Sequence, residues 1–166
     1  MSKDFVPSPT MTTPSAGTER PTFRDMAALV GMQLGIALVA AGIVSLLPLK
    51  GSQTWVGAVG ALAGAHVFTL WKEKHSPGFV ADKVHRLSIA AAVLQIQIAA
   101  AFGLLLLFTD DQLRRMLEHE LSAGVIVGII AGVMVVGGLL VYACTRFGLR
   151  MGLKSIEASN KKKLQG

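Results

Sequence analysis

Charge is missing from long stretches of this chain. Residues 26–49, 51–71, 87–109 and 121–145 contain no Asp, Glu, Lys or Arg, whereas charged residues make up about a quarter of an ordinary soluble domain. Here they are 16% of the chain, against 52% hydrophobic residues and a mean hydropathy of +0.55. Each stretch exceeds the roughly 20 residues that an α-helix needs to cross the hydrocarbon of a bilayer. Polar residues at helical spacing, which a water-soluble bundle carries on its outer faces, are almost absent from them, and so is the period-2 alternation of barrel strands. The expected fold is therefore all-α: a polytopic membrane protein of four transmembrane helices, since lipid leaves no solvent to satisfy an open backbone.

Cysteine is nearly absent too. The one thiol, Cys144, excludes an internal disulfide and offers no metal site. No carboxylate, Lys or Arg lies inside any of the four stretches, which argues against ion-coupled transport, because such proteins keep ionisable groups at membrane depth. The longest internal connector, 72–86, is too short for a soluble catalytic domain. His75, His85 and Asp82 within it match no metal-ligand spacing, and neither does His119 between Glu118 and Glu120. Nucleotide loops, nucleophile elbows and HExxH are also missing. The expectation is no catalytic residue, no cofactor and no metal, and hence no enzyme.

The charge that is present is sorted by loop. Thirteen of the sixteen Lys and Arg residues fall in the N-terminal tail, the 72–86 connector and the segment after 145; Lys50, Arg114 and Arg115 are the rest. By the positive-inside rule both termini are cytoplasmic. The net charge of +6 then reports orientation in a membrane, and nucleic acid is not the expected partner. Residues 1–22, rich in Pro, Ser and Thr, read as a disordered tail ahead of a transmembrane domain over 23–158 and a basic tail over 159–166. The late, long first apolar run is expected to be retained, unlike a cleaved signal peptide.

Boundary signals suit this layout. Thr22 with Asp25 three residues on forms a capping box for helix 1, and Thr109 with Gln112 a second one opening helix 4 ahead of its span. Pro48, Lys50 and Gly51 predict a tight outer hairpin. In "HSPGF", Ser76 is expected to cap helix 3 and Pro77 to occupy its first position. After the last span Arg146, Arg150 and Lys154 form one stripe and Leu149, Leu153 and Ile156 another, which reads as an amphipathic end lying against anionic headgroups of the bilayer.

Small residues predict how the helices meet. Gly31 and Gly35, Gly60 and Gly64, and Gly124, Gly128 and Gly132 are spaced by four, the pattern that lets helix backbones approach in lipid. Packing within one chain is preferred to a dedicated homo-oligomer or larger complex. The polar residues at one depth, Gln33, His66 and Gln95, with Tyr142 nearer the surface, are the candidate cluster: either a small inner-leaflet pocket or, preferentially, interhelical glue. Gln97 points away from Gln95 and raises the question of a contact on the other side of helix 3.

"GALAGAHVF" closing helix 2, "HSPGF" in the connector and "VYACTRFGLRMGLKS" closing helix 4 give residues 24–156 a resemblance to a group of small bacterial inner-membrane proteins with four helices. That resemblance implies a multi-pass inner-membrane location and, the family's function not being established, assigns no site residue. The Pro-rich N-terminal tail departs from its pattern. Two functions are then open: a non-catalytic accessory or interaction protein, immunity-type proteins included, or a small oligomeric channel or carrier lined by Gln33, His66 and Gln95.

Overall fold

A computed structural model of the chain describes residues 21–46, 55–109 and 122–165. The N-terminal tail, the Pro48–Gly51 hairpin and the Thr109–Gln112 capping box fall wholly or partly outside those residues. Four helices make up the described chain: α1 (Phe23–Leu46), α2 (Val56–His75), α3 (Phe79–Thr109) and α4 (Ala123–Gln165). Three of them, α1, α3 and α4, are long and apolar enough to cross a membrane. The described part of α2 is uncharged only over 56–71, short of a full crossing. Leu38, Ile43, Val133 and Leu139 are all more than half exposed on the outside of the bundle. Apolar surface on that scale is unfavourable in water and neutral in lipid, and it marks the chain as a membrane protein.

The start of α1 follows from its capping box. Thr22 N–H and Oγ1 donate to Asp25 Oδ2 at 3.2 and 2.7 Å, and Asp25 N–H returns a 3.3 Å bond to Thr22 Oγ1. The α2–α3 corner differs from expectation. Ser76 and Pro77 do not open α3; they belong to a turn in which Phe79 N–H donates to Ser76 O at 3.2 Å and Gly78 adopts φ +82°. Proline and glycine at the two central positions are what a type II turn demands. The cap comes from the preceding helix: Glu73 accepts from Gly78 N–H at 2.6 Å and from Val80 N–H at 2.7 Å. A carboxylate there satisfies orphan donors and faces the positive end of the α3 dipole.

Contacts between helices fix their directions. α1 and α2 run antiparallel, joined at one end by the Asp25–Lys72 ion pair. α4 lies parallel to α2, Gly148 beside Leu62 and Ala65 and Gly152 beside Thr69. α3 opposes α4, with His85 on Tyr142 and Ile96 at Gly138. The start of α1 and the end of α4 therefore emerge at the same end of the bundle.

The core is concentrated at that end. Leu29, Val30, Ala65, Phe68, Val80, Leu87, Ala91 and Leu149 form one buried cluster, with Leu153 packed against it. α3 begins ahead of its uncharged stretch, as expected, though at Phe79 and not at Pro77. One expectation changes: α4 continues as one helix well past 145, with Leu149 and Leu153 in the core. That apolar stripe is covered by the chain's own helices, so it does not lie on a membrane surface. α4, at about 64 Å from its 43 residues, outruns the bundle at its basic end.

Candidate functional site

Gln33 is 1% exposed and stands where all four helices meet. Its Nε2 donates to Ala61 O on α2 at 3.0 Å and to Thr145 Oγ1 on α4 at 2.8 Å, and its Oε1 accepts from Gln95 Nε2 on α3 at 2.7 Å. Both amide protons and the carbonyl are used. In a low-dielectric interior a polar group left unpaired is costly, so an amide satisfied on three sides fixes the register of its neighbours.

The glycines of α2 make this possible. A methyl added to Gly64 would strike the backbone of Gln33, and one on Gly60 would meet Ala37 and Gln33 O. Only hydrogen atoms at those positions let α2 come close enough for Gln33 to reach Ala61 O. Gly148 and Gly152 do the same for α4, the first against Leu62 O and Ala65, the second against Thr69. This second glycine pair lies beyond the uncharged stretch that ends at 145, outside the span in which small-residue spacing signals packing. Around Gly31, Gly35, Gly124, Gly128 and Gly132 the described structure has open space; these glycines do not form seams within the described bundle. Their spacing matched the pattern but their faces point outward.

The four candidate residues do not converge on one point. Gln33 and Gln95 are bonded. Tyr142 belongs to a separate group on the α3–α4 flank: its Oη accepts from Arg146 Nη1 at 2.6 Å and lies 3.0 Å from His85 Nδ1, with the His85 ring edge-on at 5.9 Å. His66 joins neither group; its Nδ1 is the one buried side-chain polar atom without a partner among the described residues. Gln97 is exposed on the outside of α3 among the described residues, so it gives no support to a second contact there. Thr145 was missed because a threonine closing an apolar run reads as a boundary residue. Buried Thr69 and Ser88 bond back to Ala65 O and Val84 O in their own helices.

A second polar layer caps the bundle end. Lys72 Nζ donates to Asp25 Oδ1 at 2.6 Å and lies 4.4 Å from the Phe79 ring centroid, over which Lys83 Nζ stands at 4.1 Å. Asp25 precedes the uncharged stretch of α1. Burial pushes its carboxyl up, but the bonds from Lys72 and Thr22 outweigh burial and hold it below its ordinary value.

None of this makes a cavity for a ligand. Between α1 and α2 an apolar groove of about 500 Å³ is lined by Leu34, Leu38, Ala41 and Val56, and its one hydroxyl, Ser45, is spent on Ala41 O. Among the described residues no group of His, Cys, Asp or Glu is placed to hold a metal. Compared with protein-family models, curated proteins and solved structures, the chain finds no match in any of the three, so its function is argued from its own residues.

Proposed function

We propose that the chain is a four-span integral protein of the bacterial inner membrane, with both termini cytoplasmic, and that it acts as a non-catalytic accessory or interaction protein. The observation that carries this is the closed hydrogen bonding of Gln33. A channel or carrier needs polar groups with unspent bonding capacity facing a pathway, whereas this amide spends both donors and its acceptor on three neighbouring helices. A cluster of that kind is glue.

The fourth span in this proposal is α2, whose residues 56–71 fall within the uncharged sequence 51–71. Its small-residue faces suit a helix sheltered between α1 and α4 more than one bathed in lipid. The distribution of Lys and Arg supports the orientation. What remains for interaction is the outer half of the molecule, where α1, α3 and α4 present apolar surface to lipid or to a membrane partner. The test is reconstitution of the purified chain in liposomes loaded with a fluorescent solute and an ion indicator. Vesicles as tight as protein-free ones support the interaction reading; a leak that grows with protein content overturns it in favour of a channel.

A further inference from the structure

We propose that His85, Tyr142 and Arg146 form a site for a phosphate group on the α3–α4 flank, of the kind carried by an anionic phospholipid. The proposal rests on the membrane reading above and adds a particular site to it.

Depth is the first observation. Asp25 and Lys72 mark the end of the bundle, and the Phe79 ring lies beside Lys72. Gln33 is eight residues beyond Asp25 and bonds to Thr145, so Arg146, the next residue, sits about 12 Å below that end at the rise of a helix. His85, six residues on from Phe79, lies about 9 Å below it by the same measure. On α1 and α2 this level carries no Asp, Glu, Lys or Arg, being occupied by Gly31, Met32, Gly64 and Ala65 among others. The basic boundary of the bundle is thus stepped: on the α3–α4 flank it descends alongside residues that are apolar on the other two helices.

Charge balance is the second. Among the described residues the ion pair is Asp25–Lys72; Arg146, Arg150 and Arg86 have no carboxylate there. The nearest acidic residue along α3, Asp82, and the one along α4, Glu157, are both exposed and bond to none of them. An arginine at membrane depth without a counter-charge is costly unless an anion or water reaches it.

Pre-arrangement is the third. Arg146 donates to Tyr142 Oη with its guanidinium carbon 5.8 Å from the ring centroid, which fixes one edge of the guanidinium and leaves its remaining N–H groups to donate elsewhere. The proposed site uses the His85 tautomer in which Nδ1 accepts the phenol proton across the 3.0 Å contact and Nε2–H is left as a donor. Two donors of different helices are held around one hydroxyl, with Arg150 exposed one turn along the same stripe. Guanidinium and imidazole donors in this arrangement match phosphate oxygens, and the step brings them to the level of lipid headgroups drawn down on that flank.

The experiment extracts the full chain from membranes in mild detergent and measures retained lipid by native mass spectrometry. Micelles are doped with equal phosphatidylglycerol and phosphatidylcholine, and inorganic phosphate is then titrated in. Preferential retention of phosphatidylglycerol is expected, falling roughly five-fold in Arg146→Gln and to a smaller degree in Tyr142→Phe, which keeps the ring and removes the anchoring hydroxyl. Arg24→Gln, which removes an equal charge on α1, is expected to leave retention unchanged. Lipid that resists millimolar phosphate identifies a lipid headgroup; displacement by phosphate identifies a soluble phosphate compound as the ligand. Equal retention of both lipids by the wild type, or an equal loss in Arg24→Gln and Arg146→Gln, overturns the site. If Arg146→Gln does not fold, Tyr142→Phe and His85→Gln decide the matter alone. Recovery of the chain in the membrane fraction without lipid preference sinks this site and spares the membrane reading, whereas recovery in the aqueous fraction sinks both.

Discussion

Gln33 on α1 and Thr145 on α4, 112 residues apart, are joined by a 2.8 Å hydrogen bond that is buried on every side. Interhelical bonds in membrane proteins contribute about 0.6 kcal/mol on average and up to about 1.7. Gln33 makes three, so Gln33→Leu should destabilise the fold by about 1–3 kcal/mol. Gln95→Leu, which removes one of them, should cost under about 1 kcal/mol. Unfolding of the detergent-solubilised chain, followed by circular dichroism, checks the ranking; equal effects would mean that the hub is not where these helices are held.

His66→Leu is expected to behave oppositely. Its Nδ1 is buried and unpaired, so leucine removes an unsatisfied atom and should leave the melting temperature unchanged or raise it. A loss as large as that of Gln33→Leu would place His66 in a contact essential to the fold.

Glycine position, and not glycine spacing, should decide tolerance. Gly64→Val and Gly148→Val force a side chain into the Gln33 backbone and into Leu62 O, and overpacking of that kind costs about 1–3 kcal/mol or more. Gly128→Val, with open space around it, should shift the stability of the monomer by less than about 0.5 kcal/mol. Thermal melts of the three variants give the comparison directly. A strong effect of Gly128→Val would reveal a partner helix on that face.

The ion pair at the bundle end predicts a pH dependence. The Asp25 carboxyl is held below its ordinary value of 3.8, so its contribution is complete above that value and disappears as pH falls through the folded-state one. The stability gap between the wild type and Asp25→Asn should therefore be full at about pH 6 and narrow progressively as pH falls below 3.8. A gap that stays constant across this range would deny the pairing with Lys72 any energetic role.

These residues also show which parts of the structure were legible in the sequence. The apolar stretches announced α1, α3 and α4 because lipid rewards an uninterrupted uncharged run, and the Thr22–Asp25 box announced the start of α1 because capping is local. The Gln33–Gln95 pair was visible as two amides at one depth. Thr145, Gly148 and Gly152 were not, because the apolar run ends at 145 while the core continues through Leu149. Hydropathy reports where lipid begins, and packing follows the faces of helices wherever they touch. Glu73 capping α3 was hidden for a related reason: its partners at 78 and 80 lie across a turn, where no short capping pattern applies. The glycines of α4 misled because a spacing of four specifies a stripe without saying which way it faces.

Fractionation of cells expressing the full chain, with an alkaline carbonate wash of the membranes, tests the central claim most directly. A protein whose helices replace water with lipid stays in the washed pellet and leaves it only with detergent. A folded monomer in the aqueous supernatant, without detergent, would contradict the account.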